Sequence, residues 1–152
     1  MTGLLNRLFG HRPAEEPLAP LLDPTLGLLR WDEDAEGWVG EIARPEAGSA
    51  ARLHLGAGSA GTYPAEAMLD LLRPPYREFW QLTPLAQDYL CKNMDIDDWL
   101  ADPQAFRVQG LESYGHHLAE GVYTITFTNG DSEAVWKVHF QAGQPVGCGI
   151  DD

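Results

Sequence analysis

The chain has 152 residues, and its 23 Asp+Glu outweigh 10 Lys+Arg to leave a formal net charge of −13. That length holds one hydrophobic core but is tight for two, and 44% hydrophobic with 10% aromatic residues is a globular composition despite the charge. Collagen-like and disulfide-scaffold chains are excluded. No apolar run approaches the roughly 20 residues that cross a bilayer, so no stable membrane insertion is expected. Phosphate-backbone binding needs clustered Lys and Arg, so no nucleic-acid partner is expected either.

Residues 1–12 contain Arg7 and Arg12 and no acid. Leu4, Leu5, Leu8 and Phe9 would form one apolar stripe on a short helix. Asn6 and Arg7 interrupt them, so the continuous apolar core of a signal peptide is missing. Pro13, Pro17 and Pro20 stiffen the stretch that follows. We therefore divide the chain into an amphipathic segment with a proline-rich linker, residues 1–21, and a single α+β domain, residues 22–152. The segment reads either as a membrane-surface or partner-docking helix or, more plainly, as a frayed terminal helix resting on its own domain. Cys91 and Cys148 are too far apart for a zinc or CxxC pattern, so reduced thiols and a cytoplasmic location are expected.

Leu26–Trp31 reads as a strand, Asp32–Gly37 as a turn, and Trp38–Ala43 as the partner strand. Trp38, Gly40 and Ile42 share one face and Val39 and Glu41 the other. Ala51–Leu55 alternates in the same way. The period then changes. Pro64 suits the first position of a helix carrying Ala67, Met68, Leu71 and Leu72, and Pro74-Pro75 should end or sharply bend it. Tyr76, Phe79 and Trp80 resume an apolar face, Thr83-Pro84 signals a second start, and Asp95 can cap a last short helix through Leu100. Strands return with Phe106–Leu111 and Val122–Thr128, where Tyr123, Ile125 and Phe127 alternate with Thr124, Thr126 and Thr128. The threonines should be the more exposed set. Asn129-Gly130-Asp131 turns the chain into Val135–Phe140, and Gly143 turns it again into an edge strand at Val146–Ile150. The result is an antiparallel sheet of about six strands with a central helical insertion packed on one face.

Chemical motifs are sparse. Asp32, Asp34, Glu36 and Gly37 follow the first half of a calcium loop, but Ala43 stands where the bidentate Glu is needed, which favours a solvated hairpin turn. Asp95, Asp97, Asp98 and Asp102 form a second acidic cluster. Capping uses Asp95 first, which leaves Asp97 and Asp98 as candidates for a partner-binding surface. His116 and His117, being adjacent, should point apart, and His139 should face a polar edge. No nucleophile with its base can be assembled from spacing, so no catalytic residue, metal ligand or cofactor is assigned.

Asp23-Pro24-Thr25-Leu26-Gly27-Leu28, Trp31, Trp38-Val39-Gly40-Glu41-Ile42, Asp102-Pro103-Gln104-Ala105-Phe106 and the Trp136–Phe140 strand with Gly143 together resemble small bacterial domains of unknown function. Some of these are encoded as immunity proteins beside polymorphic toxins. The likeness spans residues 22–150, and its motifs are structural. It implies an α+β fold and a binding role. Where other members place a Gly-His segment in the last hairpin, this chain has Glu133-Ala134-Val135. The expectation is a non-enzymatic acidic binding protein, concretely an immunity-type inhibitor of a basic toxin. The alternatives are a divalent-metal enzyme or sensor using the acidic clusters, and an accessory domain tethered by its N-terminal helix.

Overall fold

The computed structural model describes residues 16–44, 50–56, 59–94, 105–130 and 133–151. Eight strands lie in sequence order in one sheet: β1 Leu21–Asp23, β2 Gly27–Asp32, β3 Gly37–Ile42, β4 Ala51–Gly56, β5 Phe106–Tyr114, β6 Val122–Asn129, β7 Val135–Gln141 and β8 Gln144–Asp151. Every neighbouring pair is antiparallel except β4 and β5, which run parallel. A parallel pair needs a long crossover, and the helices α1 Glu66–Arg77 and α2 Phe79–Asn93 lie on that connection. A short α3, Gly115–Leu118, joins β5 to β6. The α+β class stands as expected. The count of about six strands is corrected to eight, and the wholly antiparallel sheet to one with a parallel step.

The alternation read from the sequence sets the layers. Leu53, Leu111, Ile125, Val138 and Cys148 form a cross-strand row. Against this face pack Met68, Leu69 and Leu72 of α1 and Phe79, Leu82, Ala86 and Leu90 of α2. Indole and phenol groups anchor the layers at their rims: Trp38 Nε1 donates to the Thr62 carbonyl at 3.1 Å, Trp80 Nε1 to Ala43 at 2.9 Å and the Tyr76 hydroxyl to Glu41 at 3.1 Å.

Two proline readings are corrected. Pro74-Pro75 does not end α1, which continues to Arg77, and Thr83-Pro84 does not begin a helix but lies inside α2. Prolines at these positions delete helical donors. The buried face nevertheless runs on at helical spacing through Leu72 and Pro75, and through Leu82, Thr83 and Ala86, so tertiary burial keeps these turns helical. The break falls instead at Glu78, where ψ is 7°. The proposed short helix after Asp95 lies outside the described residues.

Asp23 explains the Asp-Pro-Thr-Leu-Gly stretch. Its Oδ1 accepts the N–H groups of Thr25 at 2.9 Å and Leu26 at 2.8 Å, and Gly27 closes the turn at φ 77°. Its Oδ2 accepts from Arg73 Nη2 at 2.7 Å, and Arg73 Nη1 also reaches Glu66 and Asp70. The β1–β2 turn is thereby tied to α1 through a carboxylate only 3% exposed. Burial alone would raise the Asp23 carboxyl, but the Arg73 bond and the two N–H groups outweigh it and hold it below the usual carboxylate range.

Candidate functional site

The helices cover one face of the sheet; the other is polar. Period-two alternation sends Arg52 and His54 of β4, Glu112 and Tyr114 of β5, Thr124 and Thr126 of β6, and Lys137 and His139 of β7 to this side. His54, Glu112, Thr124 and His139 stand opposite one another across four strands. Arg52, Gly110, Thr126 and Lys137 form the neighbouring row. Two glycines make room for the large rings of this layer. A Cβ on Gly56 would lie 2.3 Å from the Tyr114 ring, and one on Gly37 would lie 2.4 Å from His54 Nε2.

Threonine exposure departs from expectation. The register is as read, with Ile125 and Phe127 fully buried on the helical side, but Thr124 is 1% and Thr126 5% exposed. The long polar side chains of neighbouring strands close over these short ones. Thr124 Oγ1 lies 2.8 Å from His139 Nδ1, and Thr126 Oγ1 donates to the Gly110 carbonyl at 3.4 Å.

A cavity of about 270 Å³ opens on this face, with Ala35, Arg52, His54, Glu112, Tyr114 and Lys137 in its lining. The Glu112 side chain in this lining is 14% exposed. Its Oε2 accepts from the Tyr114 hydroxyl at 3.2 Å and lies 3.9 Å from His54 Nδ1. Lys137 Nζ is 3.4 Å from Glu112 Oε1 and 2.5 Å from Asp151 Oδ2. Burial pushes Glu112 upward, yet His54, the Lys137 charge and the Tyr114 hydroxyl together hold it below its ordinary value. Burial would lower Lys137, but Asp151 and Glu112 keep it above its ordinary value. Burial and the Glu112 charge both raise Tyr114. Glu112 and Lys137 are thus ionised at neutral pH, with the Tyr114 phenol protonated.

Beside it runs a histidine cluster. His116 and His117 do not point apart as expected: on α3 their ring centroids are 4.0 Å apart, because one short helical turn replaces the extended backbone that adjacency on a strand would require. His117 faces His139 at 5.7 Å, and Tyr114 stacks on His116 at 5.7 Å. Burial lowers His117 and His139, aided by His116 and His139 for the former and by Lys137 for the latter.

The chain matches no protein-family model, no curated protein and no solved structure. Asp97 and Asp98, and with them Asp95 and Asp102, lie outside the described residues. The Asp32–Gly37 stretch is a hairpin turn in which Asp32 Oδ1 accepts the Ala35 N–H at 3.0 Å and Asp32 Oδ2 lies 3.5 Å from Arg52. Glu33, Asp34 and Glu36 are exposed around it. Among the described residues no group of three or more His, Cys, Asp or Glu side chains could hold a metal ion, and no helix is long and apolar enough to cross a membrane. Burial raises the half-buried Cys148 thiol. Glu112, Tyr114 and Lys137 escaped the sequence reading. Ending β5 at Leu111 hid the first two, although Leu111-Glu112-Ser113-Tyr114 keeps a two-residue alternation.

Proposed function

We propose that this chain is a non-enzymatic acidic binding protein whose partner is a basic protein, in its most concrete form an immunity-type inhibitor of a basic toxin. The observation that carries the reading is the acidic tip of the β2–β3 hairpin, Glu33, Asp34 and Glu36, exposed on the turn whose Ala35 lines the polar cavity in a chain of net charge −13. Such a tip attracts a cationic surface over a Debye length of about 8 Å at physiological salt and raises its association rate.

The non-enzymatic part rests on how the cavity spends its ionisable groups. Lys137 is held between Glu112 and Asp151, and His54 Nε2 engages the Ala35 carbonyl at 3.1 Å. The hydroxyl–imidazole pair of Thr124 and His139 is closed to substrate, because Thr124 is 1% exposed.

Co-expression with the products of the genes flanking its own is the first test: a basic product should be neutralised and co-purify in a defined stoichiometry. Stopped-flow association then locates the contact. Glu33→Gln, Asp34→Asn and Glu36→Gln together should slow association about tenfold at low salt and leave dissociation nearly unchanged. Asp32 is spared because it caps the turn. Equal association rates for the triple variant and the parent chain would remove the hairpin from the interface. Lack of any basic partner would overturn the reading as a whole.

A further inference from the structure

We infer that the cavity on the polar face is a receptor for one cationic side chain, a lysine or arginine presented by the partner, with Glu112 as its anchoring carboxylate. This deepens the binding reading above and rests on it for the identity of the protein that presents the side chain.

Three observations converge. First, Glu112 Oε1 is buried and has no hydrogen-bond donor, although its sister oxygen takes the Tyr114 hydroxyl. Lys137 stands 3.4 Å from Oε1, an ion pair without a hydrogen bond, and makes its close 2.5 Å contact with Asp151. A buried carboxylate oxygen without a donor is an unfilled acceptor, and a charged N–H is the donor that fills it best. Second, the cavity's size suits a side chain. About 270 Å³ falls below the roughly 300–1,000 Å³ of pockets that enclose drug-sized ligands. Ala35, Val135 and the Tyr114 ring supply apolar wall for an aliphatic stem. Third, the field favours a cation. The hairpin tip that supplies Ala35 carries Glu33, Asp34 and Glu36, and Asp151 also lines the cavity. Arg52 and Lys137 are the opposing charges in the lining, and each already faces an aspartate.

The geometry also predicts a competition. Lys137 is the resident cation nearest the empty acceptor, so removing its charge should improve the site for an incoming one. A purely structural ion network would show no such gain.

Nα-acetyl-lysine methylamide and Nα-acetyl-arginine methylamide are the probes, with the norleucine analogue as uncharged control. Binding is read from amide chemical shifts of the full chain. Saturable shifts at Glu112, Tyr114 and Thr126 are expected with at least one cationic probe and not with norleucine. The tighter of the two names the side chain. Glu112→Gln should weaken binding about tenfold. Lys137→Met should tighten it, and should also regain thermal stability when the probe is added. Asp151→Asn, at a site 64% exposed, should weaken it by releasing Lys137 onto Glu112. It serves as the readout if Glu112→Gln does not fold. Equal binding of norleucine, absence of saturable shifts, or weaker binding by Lys137→Met would overturn the pocket. None of these outcomes bears on charge-steered docking, which is read separately from association rates with the partner protein.

Discussion

Single side chains decide where this fold is least replaceable. Asp23 is almost fully buried and serves both a turn and an ion pair, so the two duties can be separated by substitution. Asp23→Ala removes both and leaves Arg73 with only its exposed partners Glu66 and Asp70. Loss of one member of a buried pair costs about 3–5 kcal/mol. Arg73 is 21% exposed, so the low end, about 3 kcal/mol, is expected. Asp23→Asn keeps an acceptor for the Thr25 and Leu26 N–H groups and should cost about half as much, a difference readable in urea midpoints. Phe127→Ala, at a fully buried position in the row shared with Trp136, should cost about 3–5 kcal/mol. A midpoint unchanged by either truncation would contradict the assigned burial. The same scale shows where sequence reading stops. Asp23 entered the sequence reading only within the Asp-Pro-Thr-Leu-Gly-Leu stretch, and Arg73, 50 residues away, carries no local mark of its role. Glu112 likewise acquires its character only when β4 and β7 bring His54 and Lys137 beside it.

Elements were legible wherever a local rule and the buried face agreed. Strands β2, β3, β4, β6 and β7 follow their two-residue alternation to within a residue or two of the expected ends. The helices show the reverse. Prolines announced boundaries that do not exist, because an apolar face continuing at helical spacing outweighs the donors lost at Pro74, Pro75 and Pro84. The parallel β4–β5 pairing was equally hidden: strand direction depends on the path of the connection, not on the residues of either strand. The β7–β8 hairpin gives a test of local against global control. Its two-residue loop, Ala142-Gly143, has φ of 50° and 75°, the left-handed pair that Asn-Gly suits best. An alanine held there is strained by about 1 kcal/mol. Ala142→Asn should therefore stabilise the protein by about 0.5–1 kcal/mol, seen as a raised urea midpoint with unchanged slope. A loss of stability would show that the loop's conformation is set differently.

At the scale of the whole molecule, a net charge of −13 and a partly buried pair of histidines, His117 and His139, pull the pH dependence in opposite directions. Protonating histidines lessens the overall negative charge, which by itself should favour the compact state. Locally, burial holds His117 and His139 below their ordinary value of 6.5. His116 and Lys137 add to this, while Glu112, Glu120 and Asp151 oppose it. The local effect should win, because exposed charges are screened over about 8 Å at physiological salt whereas desolvation of a buried ring is not. The sign follows directly. The unfolded chain binds these protons near pH 6.5 and the folded chain only at lower pH, so the stability they contribute is complete above pH 6.5 and is lost as pH falls through the folded values. Asp23 and Glu112 are lowered from 3.8 and 4.5. Their contribution is present above those values and is lost only in more acidic solution, so the two windows separate. Urea midpoints should stay level from pH 8 to about 6.5 and then decline towards pH 5, well before the carboxylates titrate. His117→Gln combined with His139→Gln should flatten that decline while leaving the steeper acid limb in place. A midpoint that rises between pH 6.5 and pH 5 would mean that relief of the global charge, not burial of the rings, governs this molecule near neutrality.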